Sequence, residues 1–214
     1  MATTIWGTSS SWTLTALPLF VWMGEILFRT KLSENLFKGL SPWMQKLPGG
    51  LIHVNIVGCA LFAAISGSSA ATVATVGKMS IPELRKRKYP EKILLGSLAG
   101  SGTLGLLIPP SIILIIYGVA VQESIAKLFI AGIIPGIMIA LIFMSYVIIW
   151  SLINKKIMPK ILEEYSFIDK IKRSKQLLPV IILILAVIGS IYTGIATATE
   201  AASLGVLGAL ILSY

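Results

Sequence analysis

Residues 65–71 read Ile65-Ser66-Gly67-Ser68-Ser69-Ala70-Ala71, a run of hydroxyls around a glycine in the middle of an otherwise apolar segment, 51 to 77. The flanks decide how it is read. Arg29 to Lys46 holds 4 basic residues on one side, and Lys78 to Lys92 holds 6 on the other. Lys and Arg collect in the cytoplasmic loops of membrane proteins. With both flanks on that side, the segment must enter the membrane and return: a re-entrant helical hairpin over 49–77, with the serines at its tip. Backbone at such a tip cannot face lipid, so it must be packed in protein or line a wet cavity.

Composition supplies the bilayer. The chain has 214 residues, 56% hydrophobic and only 13% charged, with a mean hydropathy of +0.89. Soluble domains carry about 25% charged residues, so a soluble enzyme or nucleic-acid module is excluded. At about 20 residues per crossing plus connections, five or six crossings fit, and the fold class is an all-α polytopic membrane protein. The net charge of +9 is loop bias toward anionic lipid. No basic stretch has the interleaved aromatics of single-strand nucleic-acid binders, so nucleic acid is not a partner. Cys59 and His53 are each the sole residue of their type, which precludes an internal disulfide and a metal-ligand cluster.

Working outward, 12–28 reads as a span. Residues 30–47 place Leu32, Leu36, Leu40, Trp43 and Leu47 among charges at near-helical spacing, as in a helix lying in the membrane interface. Residues 93–118 contain Gly102-Thr103-Leu104-Gly105-Leu106-Leu107-Ile108-Pro109-Pro110-Ser111. Each proline lacks an amide donor and clashes with the carbonyl four residues back. Pro109 therefore frees the carbonyl of Gly105 and Pro110 that of Leu106, giving a broken helix of two halves. Spans follow at 129–153 and 177–193, separated by a basic loop, and a further span starts at 198–214. Met1 to Ser11 has no basic region of the kind a signal peptide carries, and the apolar run at the end suggests a fragment of a longer membrane protein.

Gly194-Ile195-Ala196-Thr197-Ala198-Thr199-Glu200 forms a second hydroxyl cluster. It can be read as a second hairpin tip or as a capping box, Thr197 with Glu200, and the cap is favoured. Ser80-x-x-Glu83 reads as another cap. Glu25 is either interfacial or paired within the protein.

The hydroxyl tip and the unwound Gly-Pro-Pro stretch together offer hydroxyls, spare carbonyls and half-helix ends without fixed charge. Discontinuous helices of this kind bind substrate and coupling ion in secondary transporters. Sodium takes several oxygen ligands, and the half-helix after Pro110 would aim its positive end at an anion. Ser69, Thr103 and Ser111 are the substrate-side candidates. Two other functions compete: an uncoupled channel or assembly subunit, and an intramembrane serine hydrolase using Ser68 or Ser69 with His53 or Lys78 as base.

Leu47-Pro48-Gly49-Gly50-Leu51, Ile65 to Ala71, Gly102 to Ser111 and Ala131-Gly132-Ile133-Ile134-Pro135-Gly136 resemble the large membrane subunit of tripartite ATP-independent periplasmic (TRAP) transporters. Thr197-Ala198-Thr199-Glu200-Ala201-Ala202 is similar to that family's threonine-glutamate-alanine signature, with Ala198 where proline is usual. The resemblance implies an elevator-type carrier in the bacterial inner (cytoplasmic) membrane. It implies uptake of small organic anions, dicarboxylate or sialic-acid-like, coupled to sodium. It implies two partners, a periplasmic substrate-binding protein and a small membrane subunit. By the same analogy a sodium ion would be held by Ser66 and Ser68 with the carbonyls of Gly105, Ile108 and Pro110. A second hairpin and second broken helix would lie beyond Tyr214.

The topology is testable by labelling single cysteines at residues 40, 85 and 165 with an impermeant thiol reagent. All three should react from one common side, and reaction from opposite sides would remove the re-entrant reading.

Overall fold

The computed structural model describes residues 6, 10–30, 32–159 and 165–213. Among these the chain is all-helical, with no strand. A 3-10 turn, Trp12–Thr15, leads into α1 (Ala16–Arg29). There follow α2 (Leu32–Met44), α3 (Ile52–Ser66), α4 (Ser69–Lys86), α5 (Glu91–Gly102), α6 (Ile112–Val121), α7 (Ile125–Ile153), α8 (Phe167–Ser174), α9 (Leu178–Tyr192) and α10 (Ala198–Ser213). The readings that touch Met1 to Ser9 (Trp6 apart), Lys31, Lys160 and Tyr214 lie outside the described residues.

α1 presents Ala16, Phe20, Met23 and Leu27, one helical stripe, to the core. α10 lies along it and brings Ala198, Ala201, Ala202, Val206 and Ala209 to that contact, small residues that let two backbones approach. α3 is buried almost all round, enclosed by α4, α5, α7 and α2. That is why it shows no polar face in sequence. α7 is the reverse: Ile134, Ile137, Met138 and Leu141 stand exposed, as suits a helix surrounded by lipid. It and the run Phe167–Tyr192 are the two described helices long and apolar enough to cross a membrane.

The elements differ from the expected limits in instructive ways. α4 does not end with its apolar stretch near residue 77 but continues through Pro82 to Lys86. Ser80 is therefore a helix-interior residue, buried with no partner for its hydroxyl, and Glu83 instead pairs with Arg87 at 2.8 Å. The Ser80–Glu83 cap does not form. α7 starts four residues before the expected 129, because Ser124 caps it by accepting from the Lys127 N–H at 3.5 Å. The supposed loop 154–176 contains α8, which packs on α2. Trp43 joins them, donating from Nε1 to Ser174 Oγ at 2.7 Å and lying edge-on to Phe167 at 6.4 Å.

Thr197 and Glu200 do form the capping box. The Thr197 N–H and hydroxyl both donate to Glu200 Oε2 at 2.8 Å, and the Glu200 N–H returns to Thr197 Oγ1 at 3.4 Å. The second hydroxyl cluster thus caps the start of α10. Glu25 is paired with Arg29, one turn along α1, at 2.7 Å. Leu40 is buried in α2, so exposed Lys38 suits the labelling test better.

The hairpin's base is tied from outside. Gly49 and Gly50 take positive φ, 100° and 54°, which turns the chain from α2 into α3. The Leu51 N–H then donates to the Tyr89 hydroxyl at 3.1 Å. Burial pushes the Tyr89 phenol above its ordinary value of 10.0, against the opposing pulls of the Leu51 bond and of Arg87. The folded state therefore favours the neutral phenol, and the stability it contributes is lost as pH rises past 10. Tyr89→Phe should cost about 1 kcal/mol, read as a lower unfolding midpoint in detergent. It should also flatten the alkaline arm of the stability profile; an unchanged arm would show that Tyr89 is not the group responsible.

Candidate ion and substrate site

α3 stops at Ser66 because Gly67 adopts the left-handed conformation, φ 59°, with its N–H closing on the Ala63 carbonyl at 3.0 Å. Ser68 is extended and caps α4, its Oγ accepting from the Ala71 N–H at 3.4 Å. Two helices thus meet at a two-residue link and run back along each other; a methyl on Gly58 would touch Val76 at 3.6 Å. Ser66 Oγ, 1% exposed, lies 3.3 Å from the Ser68 carbonyl and 3.0 Å from Thr72 Oγ1. Thr72 Oγ1 donates to the same Ser68 carbonyl at 2.7 Å. Thr72, fully buried, is a partner of the tip serines that their spacing alone did not single out. Its position four residues after Ser68 was the available signal, since a helical hydroxyl at i+4 reaches back to carbonyl i.

The broken helix is also explicit. α5 gives way at Thr103–Leu106 to a 3-10 turn, and α6 begins at Ile112. The carbonyl of Leu106, which Pro110 deprives of its helical partner, receives the Ser111 hydroxyl at 2.6 Å. Ser111 is fully buried and committed to that repair.

These two interruptions touch. The Ile112 N–H, first of α6, donates to the Gly67 carbonyl at 3.2 Å. A methyl on Gly67 would stand 2.7 Å from the Pro110 carbonyl oxygen, and one on Gly105 would stand 2.9 Å from the Ser68–Ser69 backbone. Tip and unwound stretch are therefore in backbone contact at two points. Ser66, Ser68, Ser69, Gly105, Pro110 and Ser111 belong to this junction. Ile108 borders it, with its side chain seated against Gly136 of α7. Thr103 is apart: it is exposed, with its hydroxyl turned to the Gly100 carbonyl at 2.7 Å.

α1 closes the other side of the tip. A methyl on Gly24 would meet Ser66 Cα and Cβ at 3.0 Å. Beside that contact is a cavity of about 120 Å³ lined by Val21, Gly24, Glu25, Phe28, Ser66, Ser68, Ala71, Ala74 and Thr75. A larger one, about 820 Å³, opens between the α6–α7 and α9–α10 turns and contains none of the tip serines. The smaller cavity reaches the tip serines from the α1 side, opposite the unwound stretch.

Neither base required for a serine nucleophile is in reach. His53 is thirteen residues before Ser66 on α3, about 20 Å along the axis, and its Nε2 is bonded to the Pro48 carbonyl at 2.8 Å. Lys78 is a similar helical stretch down α4, with Nζ 5.1 Å over the Phe28 ring. Among the described residues no cluster of His, Cys, Asp or Glu could hold a metal ion.

A family model described as "Tripartite ATP-independent periplasmic transporter, DctM component" matches residues 1–214. The C4-dicarboxylate TRAP transporter large permease protein DctM of Pseudomonas aeruginosa is 35% identical over 204 residues, covering 95% of this chain and 47% of that protein. The sialic acid TRAP transporter large permease protein SiaM of Vibrio cholerae is 36% identical over 208 residues, 96% and 48% of the two chains. The ectoine/5-hydroxyectoine permease UehC of Ruegeria pomeroyi is 34% identical over 200 residues, 93% and 46%. The chain spans about half the length of these curated relatives. They are named as transporter permeases, not enzymes.

The junction predicts a sharp pair of outcomes. Gly67→Ala places a Cβ at positive φ and against a carbonyl, and should destabilise by at least about 2 kcal/mol. Gly96→Ala, with nothing within 4 Å, should be neutral or stabilising by up to about 1 kcal/mol. Thermal unfolding of the two variants in detergent measures the contrast, and equal midpoints would refute the tip contact.

Proposed function

The chain belongs to the DctM family of tripartite ATP-independent periplasmic transporters, and we propose that it supplies one half of the substrate and ion pathway of a large permease protein. The permease takes small organic anions inward across the bacterial inner membrane, coupled to sodium. A periplasmic binding protein delivers the substrate and a small membrane subunit accompanies the permease. Relatives are named for C4-dicarboxylate, sialic acid, ectoine and isethionate. Their shared feature is a carboxylate or sulfonate, which suits a site built from hydroxyls and helix N-termini.

The observation that carries this reading is the double backbone contact between hairpin tip and unwound stretch. It gathers the Ser66 and Ser68 hydroxyls with the peptide groups around Gly105, Ile108 and Pro110, a set of neutral oxygens of the kind sodium accepts. A bound cation would use lone pairs on these oxygens while the Ser66 hydroxyl keeps its bond to the Ser68 carbonyl. The anion would lie toward the start of α6, with Ser69 across the junction as its hydroxyl donor, since Ser111 is committed to the Leu106 carbonyl. Because tip and broken helix share a hydrogen bond and a second close backbone contact, they would travel together as the mobile unit of an elevator. The hairpin would enter from the basic, cytoplasmic side of a multi-pass protein.

Uptake by proteoliposomes holding the full-length permease and both partners tests the proposal. It should require sodium with the native protein, and Ser66→Ala with Ser68→Ala should raise the sodium concentration for half-maximal uptake tenfold or more. Uptake indifferent to sodium, or unaltered by the double change, would overturn the ion site. A flux that does not saturate with substrate would favour an uncoupled channel.

A further inference from the structure

We propose that α8 is an anionic-phospholipid docking helix, lying in the inner headgroup layer and anchored to the protein through Trp43. Neither the sodium site nor the transport reading is needed for it. The helix has two contrasting characters. Phe167, Ile168 and Ile171 are exposed at 67%, 74% and 45%, a patch that water would not favour. Interleaved with them are Lys170, Lys172 and Arg173, with Lys175 one residue beyond the end. The whole segment 154–176 carries seven basic residues against three acidic ones, so its charge is complementary to an anionic leaflet.

Position strengthens the case. α8 runs through a 3-10 turn, Lys175–Leu177, directly into α9, and together they make up Phe167–Tyr192, one of the two runs long and apolar enough to cross a membrane, with α8 as its charged end. The charged end of such a run belongs at the hydrocarbon boundary, where its cations can reach the headgroups. The inner side of α8 is held by α2: Ser174 takes the Trp43 Nε1 bond, Phe167 meets the Trp43 ring, and Lys170 Nζ lies 5.4 Å over that ring. Arg173 is braced on the Tyr165 ring at 4.4 Å. Lys172 and Lys175 are exposed and have no ion-pair partner among the described residues. A basic helix with exposed Phe and Ile beside it is the pattern that inserts into the interface and prefers anionic lipid. A protein partner would instead demand a buried, shape-matched apolar face, which two isoleucines and a phenylalanine among four cations do not make.

Trp43 is the built-in reporter. The complete permease is reconstituted, with and without the small subunit, in vesicles containing brominated phosphatidylcholine or brominated phosphatidylglycerol. The Trp43 contribution is taken by difference from Trp43→Phe. It should be quenched at least twofold more by the brominated anionic lipid, and the excess should fall away in about 0.5 M salt. Lys170→Gln, Lys172→Gln and Lys175→Gln together should abolish the excess while leaving far-UV helicity unchanged. Equal quenching by both lipids overturns the proposal, as does a preference that survives the triple change. Loss of quenching on adding the small subunit also overturns it, and assigns the helix to a protein contact. Ile168→Ser serves as a second probe: it should reduce quenching by both lipids alike.

Discussion

An amide or carbonyl that leaves its helix inside an apolar layer has no water to turn to, and leaving it unpaired costs several kcal/mol. The hydrogen bond from the Ile112 N–H to the Gly67 carbonyl answers that constraint for two interrupted helices at once. Each break would be untenable alone. Placed against each other, the tip of α3–α4 and the start of α6 satisfy one another, and the Leu106 carbonyl is repaired locally by Ser111. The glycines are where they must be for this. Gly67 supplies the left-handed turn, and Gly105 lets the Ser68–Ser69 backbone come close.

From that contact the surrounding architecture follows. α7 backs the unwound stretch with Gly132 and Gly136, against the Leu107 carbonyl and the Ile108 side chain. α5 locks to α3 through Asn55, whose Nδ2 donates to the Leu94 carbonyl at 3.3 Å and to Ser97 Oγ at 3.1 Å. The base is tied by Tyr89. Every neighbour of the hairpin thus holds either its tip or its stem, which keeps a polar link inside an otherwise apolar body.

Much of this was legible in the residues. Pro109-Pro110 and Ser66-Gly67-Ser68-Ser69 announce their breaks because imino acids and left-handed glycines act through the backbone, independent of tertiary context. The Thr197–Glu200 box was legible for the same local reason. Other features were decided by packing. Ser80 and Glu83 have the spacing of a cap, yet α4 passes straight through them because Val76, Ser80 and Leu84 are buried together on one face. α8 was hidden inside a charge-rich loop, its Phe167, Ile168 and Ile171 too few to mark a span. Thr103 and Ser111 carry suitable hydroxyls, but their nearest carbonyls claim them. Of the proposed site residues, Ser66 and Ser68 rest on local signals, while Thr72 emerges only when the helix after the tip is built.

Gly24 has a mechanical consequence. Its missing side chain leaves Ser66 seated directly on the α1 backbone, and the positions one turn to either side are Phe20 or Val21 and Leu27 or Phe28. Sliding the tip along α1 in either direction would drive it into a bulky residue within about 5 Å. The two surfaces mesh like a pawl in a notch, so smooth creep is disallowed. Either α1 rides with the hairpin, or the hairpin must lift clear before it can shift.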